Sequence, residues 1–335
     1  AQVGSKNFEG ELTTTLGLAE AFALIPTRFR PDGLEIGSGN LQLSTVLSGE
    51  RMEGFDTDGN LAIRDVSMTG DLLPIALEKQ AVTLDWKAKA NIVDETASLT
   101  QFTLSHETLD LSVAGSASDW TTRPGFDSGL ELRLHAKPTL AFAEQLAPLP
   151  VTGDGDIVLT TNASGKVGEL VSATLSLKTA EGASFTVLDT WPIDFPITLD
   201  TEAEATWKDP KTFSSATLKS LRLNVGEILS LAGSGLTSLL PQDRTASLQS
   251  ELVLNYDALL AYIPADVLEG YGVYAETDGA RSTLQVSGSG PLPTEGSPTP
   301  WTARAALSTE IGIAEFETEA LAGLLEEFSH TLDIS

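Results

Sequence analysis

The sequence of 335 residues has no cysteine and only three histidines, His106, His135 and His330. Without thiols there is no disulfide framework, no thiolate metal site and no cysteine nucleophile. Such usage suits an oxidising compartment like the bacterial periplasm. The histidines share no spacing and read as surface or packing residues. Basic residues are scarce, 20 against 47 acidic ones, for a net charge of −27. That charge repels phosphate backbones and anionic surfaces, and no basic stripe offsets it, so nucleic-acid binding is excluded. No apolar run approaches the roughly 18 residues of a membrane-spanning helix, and no signal peptide stands at Ala1. The chain reads as a mature protein or a cut-out segment, with any membrane anchor lying outside it.

Catalytic patterns are missing as well. No serine stands in a Gly-x-Ser-x-Gly context. Gly37-Ser-Gly39 and Ser287-Gly-Ser-Gly290 lack a phosphate-loop lysine and read as turns. Asp56-x-Asp58-x-Asn60 opens like a calcium loop, but Leu61 stands where that loop needs glycine, so a solvated turn is the better reading. Nothing argues for an enzyme, a metal or a cofactor.

What the sequence does have is alternation, and one motif that recurs. Hydrophobic residues make up 41% of the chain against 6% aromatics, enough for a large apolar surface built from small and aliphatic side chains. Tyr256, Leu260 and Ile263 stand at i, i+4 and i+7, on one face of a helix over 256–263 that Asp257 caps and Pro264 ends. The same triple followed by proline occurs at Leu18, Phe22 and Ile25 (helix at about 16–25) and at Phe142, Leu146 and Leu149 (about 139–149). The offsets are 124 and 114. A second correspondence pairs Ala97-x-Leu99-x-x-Phe102-x-Leu104 with Ala216-x-Leu218-x-x-Leu221-x-Leu223, and Leu111-Ser-Val113-Ala-Gly115 with Leu229-Ser-Leu231-Ala-Gly233.

Between the helices the pattern has period 2, as in Val82-Thr-Leu84-Asp-Trp86-Lys-Ala88 and Ile197 to Trp207, which predicts antiparallel strands with one apolar face. Leu34 to Leu47, broken by glycines, reads as hairpin material. Leu321, Leu324, Leu325 and Phe328 predict a C-terminal amphipathic helix over 318–329. The expected organisation is a first module over 1–150, a second over 151–264 and a partial third over 265–335. The fold class is mostly β, with one short helix per module. One short helix cannot cover six or seven strands. Either two sheets close on each other, or the apolar face lines an open groove.

The run Asp-Ala-Leu-Leu-x-x-Ile-Pro, then Gly, an alternating strand and another Gly, preceded by Leu-x-Leu-x-Gly-Ser strands, resembles the AsmA-like family, which includes TamB. The resemblance implies an elongated, curled antiparallel sheet, the repeating β-groove. It also implies an inner-membrane anchor absent from this chain, phospholipid as ligand, and a periplasmic location bridging towards the outer membrane and an envelope partner there. It brings no catalytic residues. On this reading the groove is lined by strand positions of one parity: Leu84, Trp86, Leu111, Val113, Leu132, Leu199, Leu229, Leu231 and Leu252. The alternatives are a structural or adhesive protein of tandem β-sandwiches with no lipid, and a transmembrane β-barrel. The scattered Trp and Tyr residues argue against the barrel.

Overall fold

The computed structural model describes residues 7–334, apart from 27–28, 32, 51–52, 71–75, 188–190, 210–211, 239–243, 264–272, 293–300 and 319–321. The chain divides into two compact units. Unit 1 holds 1–167 and 182–192, and unit 2 holds 168–181 and 193–335.

In unit 1 the strands are β1 (Asn7–Gly17), β2 (Glu35–Glu50), β3 (Gly54–Thr69), β4 (Leu77–Asn91), β5 (Thr96–His106), β6 (Leu109–Ser118), β7 (Gly125–His135), β8 (Val151–Asp154) and β9 (Asp156–Lys166). The helices are α1 (Leu18–Leu24), after β1, and α2 (Ala136–Leu146), after β7. Next in chain order come β10 (Leu170–Thr179), which belongs to unit 2, then β11 (Ser184–Val187) and β12 (Trp191–Ile193). Unit 2 continues with β13 (Ile197–Asp209), β14 (Thr212–Val225), β15 (Leu229–Ser238), β16 (Thr245–Asn255), helix α3 (Tyr256–Tyr262), β17 (Val273–Asp278), β18 (Arg281–Pro291), β19 (Thr302–Thr318) and β20 (Ala322–Ile334). Among the described residues the protein is mostly β, with antiparallel sheet in each unit that does not close and three short helices.

Strands β1 to β7 and β9 of unit 1 pair in sequence order, each antiparallel to the next. In unit 2 the order is β10, β13, β14, β15, β16, β18, β19, β20, again antiparallel, with β17 lying beside β18 on the same side of β19. A separate small sheet joins β8, β11 and β12.

The three helices occupy the same place in this topology. Each leaves the end of a strand, and the chain returns as the antiparallel neighbour of that strand. Gly17 pairs with Asn40 around α1, His135 with Asp156 around α2, and Asn255 with Arg281 around α3. The necks of the second and third excursions are closed by equivalent backbone bonds, Ala136 N–H to Gly155 O (2.8 Å) and Tyr256 N–H to Ala280 O (2.9 Å).

Every helix ends before the sequence pattern predicts. Ile25 and Ile263 are C-caps in extended conformation, and Leu149 lies beyond the Ala147 cap of α2. The third member of each apolar triple has therefore left the helical face. α2 also starts three residues earlier than expected, directly from β7, so it spans Ala136–Leu146 instead of 139–149. Asp257 is not the cap of α3. Asn255 is, its side chain accepting from Ala258 N–H, while the Asp257 carboxylate accepts from the N–H groups of Gly279 and Ala280 at the neck. Pro264 and Gly270 lie outside the described residues.

Several expected turns and one helix are strand. Leu34 to Leu47 is no hairpin: residues from Glu35 onward form the single strand β2, flanked by β1 and β3. Gly37-Ser-Gly39 lies within it, at bulges against β3, and Ser287 to Gly290 lies within β18. Asp56, Asp58 and Asn60 belong to β3, where Lys89 (3.6 Å) and Lys87 (3.3 Å) of β4 face the two aspartates and Asn60 bonds Asp85. Of the stretch predicted as a helix over 318–329, Thr318 ends β19 and residues 322–329 belong to strand β20, paired with β19; 319–321, with Leu321, lie outside the described residues. The edge of β19 offers β20 a ladder of backbone hydrogen bonds, and that outweighs a helical spacing of four apolar residues.

Candidate functional site

Residues directly opposite in an antiparallel ladder share a sheet face, so the register assigns the faces. In unit 2, Leu177, Leu199, Leu223, Leu231, Leu252, Leu284, Leu307 and Leu332 face one another in turn, one leucine from each of eight successive strands. Unit 1 carries the corresponding row, Leu43, Leu61, Leu84, Leu104, Leu111, Leu132 and Leu159, with Thr14 in its place on β1.

All nine lining residues expected from the sequence fall on these leucine-bearing faces. Leu84, Leu111 and Leu132 are in the row of unit 1, and Trp86 faces Phe102, which faces Val113, in the row beside it. Leu199, Leu231 and Leu252 are in the row of unit 2, and Leu229 lies in the adjacent row towards α3. The sequence reading did not single out the other row members, although the same alternation marks them.

The correspondence between the two units is sharper than the sequence comparison indicates. Leu99 and Leu218 each precede a β-bulge, whose extra residue is Thr100 in β5 and Lys219 in β14. Measured from the ladders, Leu111 answers to Leu231 and Gly115 to Gly235, an offset of 120 instead of the 118 taken from the Ala-Gly-Ser match. The turn before β15 is one residue longer than that before β6. The discrepancy of two leaves every side chain on the same face, because the period is two.

These faces are not covered. Among the described residues the buried apolar set is Ala62, Val66, Ala136, Val158, Ala183, Ile228 and Ala280, and no leucine of either row belongs to it. The row members are half-buried, and at the edge of unit 2 Leu307 and Leu332 are 39% and 48% exposed. Burying a leucine fully is worth roughly 1.5–3 kcal/mol, so each row forgoes a substantial part of the burial available to it. Beside the rows, at the strand ends away from the helices, small residues leave two hollows. Their linings correspond: Phe55 with Val171, Ala90 with Ala205, Ala97 with Ala216, Leu99 with Leu218 and Gly115 with Gly235.

Charge collects on the opposite faces. In unit 1 His135 lies between two carboxylates, Nδ1 at 2.9 Å from Asp156 and Nε2 at 3.1 Å from Asp110, with Arg133 bridging Asp156 and Glu131. The bond to Asp156, helped by Asp110, raises the pKa of His135, while the bond from Ser105 lowers that of Asp110. In unit 2, Glu204 and then Glu202 raise the pKa of Lys219 at the bulge. His106 bonds Thr108 and Gln80 at 2.7 Å each. Among the described residues no three acidic or histidine side chains converge as a metal site, and no helix is long and apolar enough to cross a membrane.

α3 packs back on its own unit. Tyr262 donates to Asp194 (2.6 Å), a bond that pushes its pKa up to about 12, and its ring meets Phe195 edge-on at 4.5 Å. Tyr256 reaches Ser282 on the leucine-bearing face. The fold and the site thus define an open antiparallel sheet protein with one continuous aliphatic face per unit. No family model, curated protein or solved structure matches the chain.

Proposed function

We propose that this chain is a non-enzymatic lipid-binding segment whose leucine-bearing faces carry phospholipid acyl chains across the bacterial periplasm, between inner and outer membrane. The observation that carries this reading is the pair of leucine rows, of which no member is fully buried among the described residues. A protein core of this size would gain by closing over them. A smooth aliphatic strip without fixed polar anchors along most of its length suits a chain of methylenes, which needs contact area and no directional partners. The equivalent positions of the three helices, and the two bulges at corresponding sites, support a modular β-groove of the AsmA-like kind. The absence of cysteine agrees with a periplasmic setting.

The test is lipid analysis of the purified protein by mass spectrometry, beside a variant carrying Leu111→Asp and Leu231→Asp. Phospholipid that co-purifies with the parent protein and is lost from the variant is the expected result. A parent protein free of lipid, and unable to take it up from phospholipid dispersions, overturns the proposal.

A further inference from the structure

We infer that unit 2 holds an anchor for the phosphate headgroup of the bound lipid, built from the hydroxyls of Tyr256, Ser282 and Thr309 with the imidazole of His330. The inference rests on the lipid-binding reading above and gives the ligand an orientation.

The row next to the leucines on the α3 side begins apolar, with Ile197, Val225, Leu229 and Leu254 on β13 to β16. It then turns polar over the last three strands, where Ser282, Thr309 and His330 face one another in register. Unit 1 shows what the same place is like without this change. There Ile157 opposes Leu134 where unit 2 has Ser282 opposite Leu254, and the first residue of the helix is Ala136, 4% exposed, where unit 2 has Tyr256. Two corresponding positions have both acquired hydroxyls, and the hydroxyls meet. Tyr256 Oη is 3.0 Å from Ser282 Oγ, which is 2.9 Å from Thr309 Oγ1.

In this series Ser282 donates once and accepts once, which leaves a free O–H donor at one end of the line and acceptor capacity at the other. The end at Thr309 lies beside exposed His330, whose ring adds an N–H. Phosphate oxygens accept from O–H and N–H groups in short, strong bonds. Arg281, the cation beside Ser282 in sequence, is on the other face and is held by Glu310 at 2.6 Å. Two residues further along each strand, about 6.6 Å away, Leu284, Leu307 and Leu332 open the leucine row. A headgroup on the hydroxyls therefore has its acyl chains starting on the leucines.

The experiment compares the full chain binding dioctanoylphosphatidic acid and dioctanoylglycerol, which share acyl chains and differ in the phosphate, by isothermal titration. The parent is expected to favour the phospholipid by about tenfold, the scale of one or two net hydrogen bonds. Ser282→Ile, which installs the residue that unit 1 has, and Thr309→Val should abolish that preference, so that the two lipids bind alike; Ser282→Thr should retain it. If the parent binds both lipids equally, or the variants keep the preference, the anchor is wrong and the acyl-chain reading stands. If the parent binds neither lipid, both fall.

Discussion

His135 and Asp156 face each other at the last register step between β7 and β9, with Nδ1 2.9 Å from the carboxylate, where the chain leaves for α2 and returns. The second ring nitrogen is 3.1 Å from Asp110 of β6. A carboxylate at each ring nitrogen favours the protonated imidazole, which donates to both, and the pair clasps the neck of the excursion.

Stability should therefore depend on pH through this clasp. The folded pKa of His135 is raised, chiefly by Asp156. Its contribution is complete below the unfolded value near 6.5 and is lost as pH rises through the folded value. Thermal unfolding of the parent should show a loss between these limits, on the order of 1 kcal/mol for two partly exposed charge-assisted bonds. His135→Asn should flatten the profile there. An unchanged profile in the variant would show that other groups set the dependence.

A leucine in the row should cost little to remove. Leu231→Ala loses contacts on one side only, so about 1–2 kcal/mol is expected, below the 2–5 kcal/mol typical of a closed core. Urea unfolding measures the difference. A loss of 4 kcal/mol or more would mean that the face is dry and covered.

The carboxylate of Asp257 accepts from Gly279 N–H at 2.8 Å and Ala280 N–H at 3.2 Å, and Ala280 is only 2% exposed. Asp257→Ala should cost about 1–3 kcal/mol by leaving those donors unpaired. Asn255→Ala, which removes the helix cap, should cost about 1 kcal/mol. Hydrogen exchange separates the two: the first should speed exchange at residues 279–280, the second at Ala258.

Two glycines at the necks should respond differently. Gly155 has φ 101°, and a Cβ there would come 2.6 Å from Ala183 Cα; Gly279 has φ 65°, with nothing nearer than 3.7 Å. Gly155→Ala should cost several kcal/mol, from backbone strain of about 1–3 kcal/mol plus the clash. Gly279→Asn, in the left-handed region that Asn tolerates, should cost less than about 1 kcal/mol. Chemical denaturation of the two variants makes the comparison.

The strands were legible because their signal is local. Val82 to Ile92 and Ile197 to Trp207 alternate strictly, and a period of two fixes which residues share a face before any partner is known. That is why nine residues chosen by parity all fall on the leucine-bearing faces. Helix starts were legible for the same reason at Leu18 and Tyr256. What failed was local signal in competition with pairing. Leu324, Leu325 and Phe328 satisfy a helical spacing, but the edge of β19 takes that stretch as a strand. Gly37-Ser-Gly39 has the composition of a turn, yet pairing with β3 takes it into a strand across two bulges.

The sequence by itself determined the strand periodicity, the aliphatic character of one face, the placing of three helices and a net charge of −27. The tertiary structure decided that Leu177 through Leu332 stand in one row, that the row lies uncovered, and that His135 meets two carboxylates. Those facts depend on register between residues far apart in sequence, as in the pairing of Leu252 with Leu284 and of His135 with Asp156. Register is set by bulges, turn lengths and edge pairing acting together, and no stretch of the chain encodes it alone.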